Sequence, residues 1–324
     1  MIAASATYRQ ILSRLLGWSP AVLLAIVVIV GIIINPALIS GANLAAVASQ
    51  SIPIFLIALA AGLVLISGSI DLSAGLTVAL VSVVVGFGLN LGWPSVPALL
   101  LGLAAATAVG FWNGLIAGFV RLPAFVATLA TAIALQGINI FLSPGIIIIK
   151  DPVLKALGRG AVLGFPFLYI VAAIAALTAY LLLHQSRFGL KTYAVGSSRE
   201  NAVLAGLAVE RHQFMVFIAS SVICFVASVV MISRTLVVTP NVGGMPLLLD
   251  GIAAAVIGGT SIFGGKGTVF GIACGALIIG LVTHLLRTTG VDPSSLDLFK
   301  GLLIAFALLL EVGLAAMRSY LKTV

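Results

Sequence analysis

Few side chains in this sequence could do chemistry, and each of them interrupts an apolar run. Asp71 lies in Ser67-Gly68-Ser69-Ile70-Asp71-Leu72-Ser73-Ala74-Gly75, between two apolar blocks. A carboxylate there either handles an ion or proton, or it accepts backbone N–H groups as a helix cap, with Gly68 and Gly75 allowing the turn and close packing. Asp250, which follows Gly243 and Gly244, carries the same two readings. His184, His212 and His284 are scattered, and neither a zinc-protease spacing nor a nucleophile elbow accompanies them. Cys224 and Cys274 sit inside apolar stretches and read as small packing residues, so no metal site or disulfide framework is expected. The segment from Gly258 to Thr268 looks like a phosphate loop, but Thr260 and Gly267 occupy the positions where the pattern needs Gly and Ser or Thr. ATP hydrolysis by this chain is therefore not expected, and no residue is assigned as catalytic. What remains is binding and movement.

The elements that must position these residues are set by composition. Of 324 residues, 62% are hydrophobic and 7% are charged, against about 25% charged in an average soluble domain. So few charges cannot cover a water-facing surface, and with a mean hydropathy of +1.31 the solvent for most of the chain is lipid. The net charge of +8 does not point to nucleic acid, because the bases stand between apolar blocks as topology signals. A crossing takes about 20 residues as a helix, because lipid offers no partner to open backbone groups. The apolar blocks predict spans near residues 18–35, 44–66, 72–89, 97–119, 123–142, 166–183, 213–232, 247–263, 268–286 and 298–317. The expected fold is an all-α polytopic membrane protein of about ten transmembrane helices, a single transmembrane domain over residues 1–324.

Arg9 and Arg14 precede an apolar run without a small-residue cleavage site, which predicts a retained first span. An even number of spans puts both termini on one side. Placing them in the cytoplasm puts Arg9, Arg14, Arg121, Arg187, Lys191, Arg199, Arg211, Lys266, Arg318 and Lys322 inside, ten of the 16 bases, and leaves six outside. Five spans per half, about 1–165 and 166–324, would make the second half inverted relative to the first. Span four carries Ala98, Gly102, Ala106, Gly110, Gly114 and Gly118, and span nine carries Gly267, Gly271 and Gly275, spacings that line one helix face with small residues. Asp71 and Asp250 each open the third span of a half, where an Asp would cap a helix. Gln50, Asn113, Gln136 and Asn139 lie within spans and would bond either a polar solute or a neighbouring helix.

The longest hydrophilic stretch, residues 184–212, separates the halves. Ser197 with Glu200 three residues later fits a capping box, and Val203, Leu204 and Leu207 follow near Gly206. This predicts a short amphipathic helix, either an interfacial anchor or a knob for a partner's groove.

Four stretches together resemble the permease family of bacterial ABC importers for ribose, xylose, arabinose, galactosides and related sugars. They are Ser67 to Gly75, Pro123 to Leu129 (PAFVATL), Arg187 to Gly206 (RFGLKTYAVGSSRENAVLAG) and Asp250 to Gly267 (DGIAAAVIGGTSIFGGKG), and the resemblance runs from about residue 40 to 312. The chain departs from the family pattern at Ser69, where Gly is usual, and at Ser197 and Ser198, where Gly and Asn are usual. The resemblance implies a multi-pass inner-membrane permease that pairs with a second permease subunit, the same chain or a paralogue. It implies two nucleotide-binding domains on the cytoplasmic side, holding the ATP and Mg that this chain does not bind, and a periplasmic solute-binding protein outside. It also implies that residues 197–207 form the helix that couples to the ATPase, with Ser197, Arg199, Glu200, Ala202 and Gly206 on that stretch, while Gly68, Asp71, Ser73, Gly75, Pro123, Phe125, Thr128 and Asp250 belong to the structural and translocation motifs. Two rivals stand beside this importer: a proton- or sodium-driven secondary transporter using Asp71, and a structural scaffold without transport.

Overall fold

The structure, a computed structural model, describes residues 18–143, 145–290, 292, 295, 298–302 and 305. Arg9, Arg14, Arg318, Lys322 and most of the tenth predicted span lie outside the described residues. Among the described residues six helices are long and apolar enough to cross a membrane: α2 (Gly41–Ile66), α4 with its π-helical extension (Ser95–Val120), α5 (Ala124–Leu142), α7 (Phe167–His184), α10 (Val209–Thr235) and α12 (Val269–Thr288). Three shorter apolar helices accompany them, α1 (Ser19–Ile34), α3 (Ala74–Asn90) and α11 (Gly244–Ile257). The polar connections add α6 (Pro152–Arg159), α8 (Arg187–Ser197) and α9 (Arg199–Leu204).

The centre of the bundle is α2, in which every residue from Ser51 to Ile66 is buried. It packs against α10, α11 and α12, and α4 in turn packs against α10. The two predicted halves therefore interleave. Lipid tails are as apolar as the side chains themselves, so helices in a bilayer gain by close backbone approach more than by leaving solvent. The small-residue stripes supply that approach. A Cβ on Gly110, Gly114 or Gly118 would strike Ser221, the Phe214 carbonyl or the Glu210 carbonyl of α10, and one on Gly102 would meet Val85 of α3. Gly271 and Gly275 of α12 seat in the same way on the carbonyls of Gly258 and Ala254. Gly267 precedes α12 rather than belonging to it, because the helix starts at Val269 with Thr268 as its N-cap.

Two further boundaries differ from the sequence expectation. The span placed at 247–263 is a helix over Gly244–Ile257 only, since Gly259 at φ +83° turns the chain away. The polar connection 184–212 contains two helices rather than one, because Ser186 caps α8 by accepting from the N–H groups of Phe188 and Gly189. At the opposite end of α10, β1 (Ile147–Ile148) pairs antiparallel with β4 (Val237–Val238). A second small ladder, β2 (Ala161–Val162) with β3 (Phe165–Pro166), turns through Leu163 and Gly164, both at positive φ.

Candidate functional site

Between α2 and α3 the chain is irregular from Ser67 to Ser73, and Ser67, Ser69, Asp71 and Ser73 are all buried. Irregular backbone away from water is tolerated only where protein supplies its hydrogen bonds. Thr128 of α5 supplies them from one side: its Oγ1 accepts from the Leu72 N–H at 3.0 Å and lies 3.2 Å from the Ile70 carbonyl. Asp71 supplies them from within, its Oδ1 accepting from the Ser73 N–H at 2.8 Å and from the Ser73 hydroxyl at 2.7 Å. Ser73 then accepts from Asn113 Nδ2 of α4 at 2.7 Å, and Asn113 Oδ1 accepts from Thr131 of α5 at 2.7 Å. One carboxylate thus organises a polar chain joining the break to two neighbouring helices. Removing the hydroxyl with Thr128→Val would leave the part-buried Leu72 N–H without its acceptor. It is expected to cost about 1–3 kcal/mol, read as a lower midpoint in thermal unfolding of the purified protein.

Glycines let three segments meet just below this break. Gly68, at φ +78°, approaches the Cα of Gly196, and a Cβ on Gly196 would be driven into the Ile66 carbonyl. That carbonyl accepts from the Gly265 N–H at 2.9 Å. Gly264 and Gly265, both at positive φ, press on the Gly196 carbonyl and on Ser197, and the Tyr193 hydroxyl donates to the Gly267 carbonyl at 2.8 Å. Burial raises the Tyr193 phenol above its ordinary range, so the donor stays protonated. The stretches around Asp71, Thr128, Gly196 and Gly265, distant in sequence, therefore form one contiguous structure.

From this seat α9 projects outward. Ser198 is its N-cap and accepts from the Asn201 N–H; Ser197 instead ends α8, so the expected capping box at Ser197 and Glu200 does not form. The physical reason is the extended backbone at Ser198 (φ −164°, ψ 110°), which ends one helix and starts the next. The C-terminus closes with Gly206 at φ +78°: the Leu207 N–H reaches the Ala202 carbonyl and the Gly206 N–H reaches that of Val203, the paired bonds of a left-handed glycine cap. Ala202 is buried with Val195 and Val209, whereas Val203 and Leu204 face outward.

Arg199 turns back toward the bundle. Its Nη1 donates to Gln213 Oε1 at 2.8 Å, and Gln213 Nε2 donates to Ser69 Oγ at 2.6 Å. Its Nη2 lies 3.8 Å from Glu210, which Arg121 approaches to 3.1 Å. Arg121 itself takes a left-handed conformation after the π-helical turn, just ahead of Pro123 and α5.

Several expected site residues lie elsewhere or play other parts. Asp71 does not occupy the N-cap of α3; Ser73 does, and Asp71 acts through it. Asp250 is no cap either. It sits within α11, because the first turn begins at Gly244 and runs through Pro246, and it pairs with Lys300 at 2.8 Å. Lys300, one of the six bases expected outside, is turned into the bundle by that pairing. The side chains of Phe125 and Pro123 are exposed at the start of α5, and Glu200 is exposed on α9. Gly75 has the expected packing role, since a Cβ there would strike the Gly244 carbonyl where α3 and α11 begin. Asn113 and Asn139 bond neighbouring helices, Asn139 through the Leu76 carbonyl at 3.3 Å, and Gln136 is exposed. Sequence reasoning missed Gln213, Glu210 and Lys300, whose partners are too remote in the chain to leave a local signal.

The family model described as "Branched-chain amino acid transport system / permease component" matches residues 43–308, a range that holds the stretches around Asp71, Thr128, Gly196 and Gly265. The chain is 33% identical over 296 residues to the ribose import permease protein RbsC of Bacillus subtilis (strain 168), covering 89% of this chain and 90% of that protein. It is 30% identical over 320 residues to the fructose import permease protein FrcC of Rhizobium meliloti, with 94% and 89% covered. It is 32% identical over 291 residues to the autoinducer 2 import system permease protein LsrC of an Enterobacter species (strain 638), with 89% and 84% covered. No solved structure matches the chain.

Proposed function

The chain belongs to this family of transport-system permease components, and from that premise we propose that it is the membrane subunit of an ATP-driven importer for a sugar or sugar-like polar solute. It is a transport component rather than an enzyme: ATP and Mg belong to two partner ATPase subunits, and a second permease subunit completes the path that a periplasmic solute-binding protein feeds. The protein is multi-pass. In this reading it has about ten crossings in two inverted halves within the bacterial inner membrane, with both termini and the 184–212 connection in the cytoplasm.

The solute class rests on the relatives, which are import permeases for ribose, fructose and autoinducer 2. The charges in the bundle agree with it. A sugar needs no counter-ion, whereas an amino acid brings an ammonium and a carboxylate that both need partners; here Asp250 and Lys300 already neutralise each other at 2.8 Å. Ion-driven transport is not favoured by the relatives, which are import permeases, and Asp71, the residue it would need, has its Oδ1 engaged by two Ser73 groups.

The observation that carries the coupling assignment is α9, which is capped at both ends and buries Ala202, yet leaves Leu204 84% exposed and Val203 52% exposed. A rigid helix with an apolar outward face at the polar end of the bundle fits a groove in a partner protein. Ser197, Arg199, Glu200, Ala202 and Gly206 then serve docking and its transmission, with Ser197 in the hinge before α9 and Gly206 in its terminal cap. The test is co-purification of tagged permease with its ATPase subunit. Leu204→Asp removes an apolar anchor without touching the core and is expected to reduce recovery of the ATPase about tenfold or more. Full recovery with this variant would remove α9 as the docking element.

A further inference from the structure

We infer that Gln213 is a positioning residue of the transport cycle, the link through which movement of α9 reaches the buried break at Ser67 to Ser73; the inference rests on the importer reading above. The side chain is buried near the start of α10 and is bonded at both ends. Arg199 only donates, so the Gln213 oxygen must face it, and the Gln213 nitrogen is then fixed toward Ser69. Ser69 accepts and is held in the break, two residues from Asp71. A surface helix and a buried irregular segment are in this way tied by two consecutive hydrogen bonds of 2.8 and 2.6 Å.

The link has a second arm. Arg199 also faces Glu210 at 3.8 Å, and Glu210 holds Arg121 at 3.1 Å, beside the start of α5. From α5, Thr128 grips the break at Leu72 and Ile70. A shift of α9 therefore acts on Ser69 directly and on the far side of the break through Arg121 and α5. The two arms differ in stiffness. The Arg121–Glu210 pair is on the surface, with Arg121 71% exposed, and such pairs couple weakly. The Gln213 arm starts from a part-buried bond to Arg199 and runs through a buried side chain to the buried Gln213–Ser69 bond, where a hydrogen bond cannot be exchanged for water without cost. Gln213 is for this reason the arm that transmits.

The test uses the assembled complex of permease, ATPase and binding protein in proteoliposomes, with D-ribose and D-fructose as probes, and reads the ratio of solute-stimulated to unstimulated ATP hydrolysis. Gln213→Leu keeps the size of the side chain and removes both bonds; it is expected to lower that ratio about tenfold in a complex that still co-purifies. Gln213→Glu, whose carboxylate accepts from both Arg199 and the Ser69 hydroxyl, is expected to recover part of it. Ser69→Ala should lower the ratio in the natural background and add nothing in Gln213→Leu, the non-additivity of groups acting in series. Undiminished stimulation in an intact Gln213→Leu complex, or effects of Ser69→Ala and Gln213→Leu that multiply, would overturn the inference. Should Gln213→Leu not assemble, Ser69→Ala alone decides, and a natural ratio in that variant overturns it. Absence of stimulated hydrolysis in the unmodified complex would instead sink the importer reading itself.

Discussion

Gly196→Ala is expected to be among the most damaging single-atom additions in the chain. The new Cβ would be driven into the Ile66 carbonyl and against the Gly265 N–H, two groups already bonded to each other at 2.9 Å. Neither is the end of a flexible side chain. Either that backbone bond breaks or α8 lifts from the end of α2, and α9 moves with it. Overpacking of this kind costs about 1–3 kcal/mol, and loss of the buried bond adds about 1–3 more. The checks are the thermal midpoint of the purified protein and its yield in the membrane, both expected to fall sharply. Gly137→Ala, within α5 and with open space around it, is the control and is expected to be neutral or slightly stabilising. A Gly196→Ala protein with the natural midpoint would mean that the three segments do not press together as described.

Asp71 gives the second large effect, and its two replacements separate structure from ion chemistry. Asp71→Leu takes the acceptor from both the Ser73 N–H and the Ser73 hydroxyl. With each orphaned group costing about 1–3 kcal/mol, the loss is large enough to release α3 from its neighbours and abolish uptake. Asp71→Asn keeps an oxygen acceptor at the same place. Uptake with this variant is expected to stay strictly ATP-dependent and to fall by less than about tenfold, because one charge-assisted pair of bonds becomes neutral. A proton- or sodium-driven carrier would lose its coupling group entirely with Asn, so abolished uptake in a well-folded Asp71→Asn protein counts against the structural role. Uptake of D-ribose and D-fructose into proteoliposomes, with and without ATP, distinguishes the outcomes.

How much of this was legible in the chain follows from the range of each interaction. Lipid as solvent was written in composition, and the six long apolar helices fall close to predicted spans because a crossing leaves a long, unambiguous apolar run; the other three described apolar helices lie near predicted spans but are shorter. The Asp71 segment was legible as an irregular, polar stretch that protein must satisfy; its satisfiers, Thr128 and Asn113, lie 56 and 40 residues from their partners and were not. Asp250 misled because a Gly-Gly pair just before an acid looks like a helix start. The pair does start α11, but Met245 and Pro246 fit its first turn, so the acid ends up inside the helix and takes its charge partner 50 residues on. Two adjacent serines made the cap of α9 ambiguous by one residue, and only the extended backbone at Ser198 decides between them. Gly206 stood on the stretch that the resemblance matched, but its backbone task, closing α9 at φ +78°, emerges only from the fold. Gln213 carried no signal: its partner in the break is 144 residues away.

The central claim is that the chain moves solute by borrowing the energy of a separate ATPase through α9. Its most direct test is uptake of D-ribose and D-fructose by proteoliposomes holding the permease with its binding protein, measured with the ATPase subunit and ATP, without either, and with an imposed proton or sodium gradient alone. The account predicts uptake only when the ATPase hydrolyses ATP, and its loss with Leu204→Asp. Accumulation driven by an ion gradient in the absence of the ATPase would contradict it.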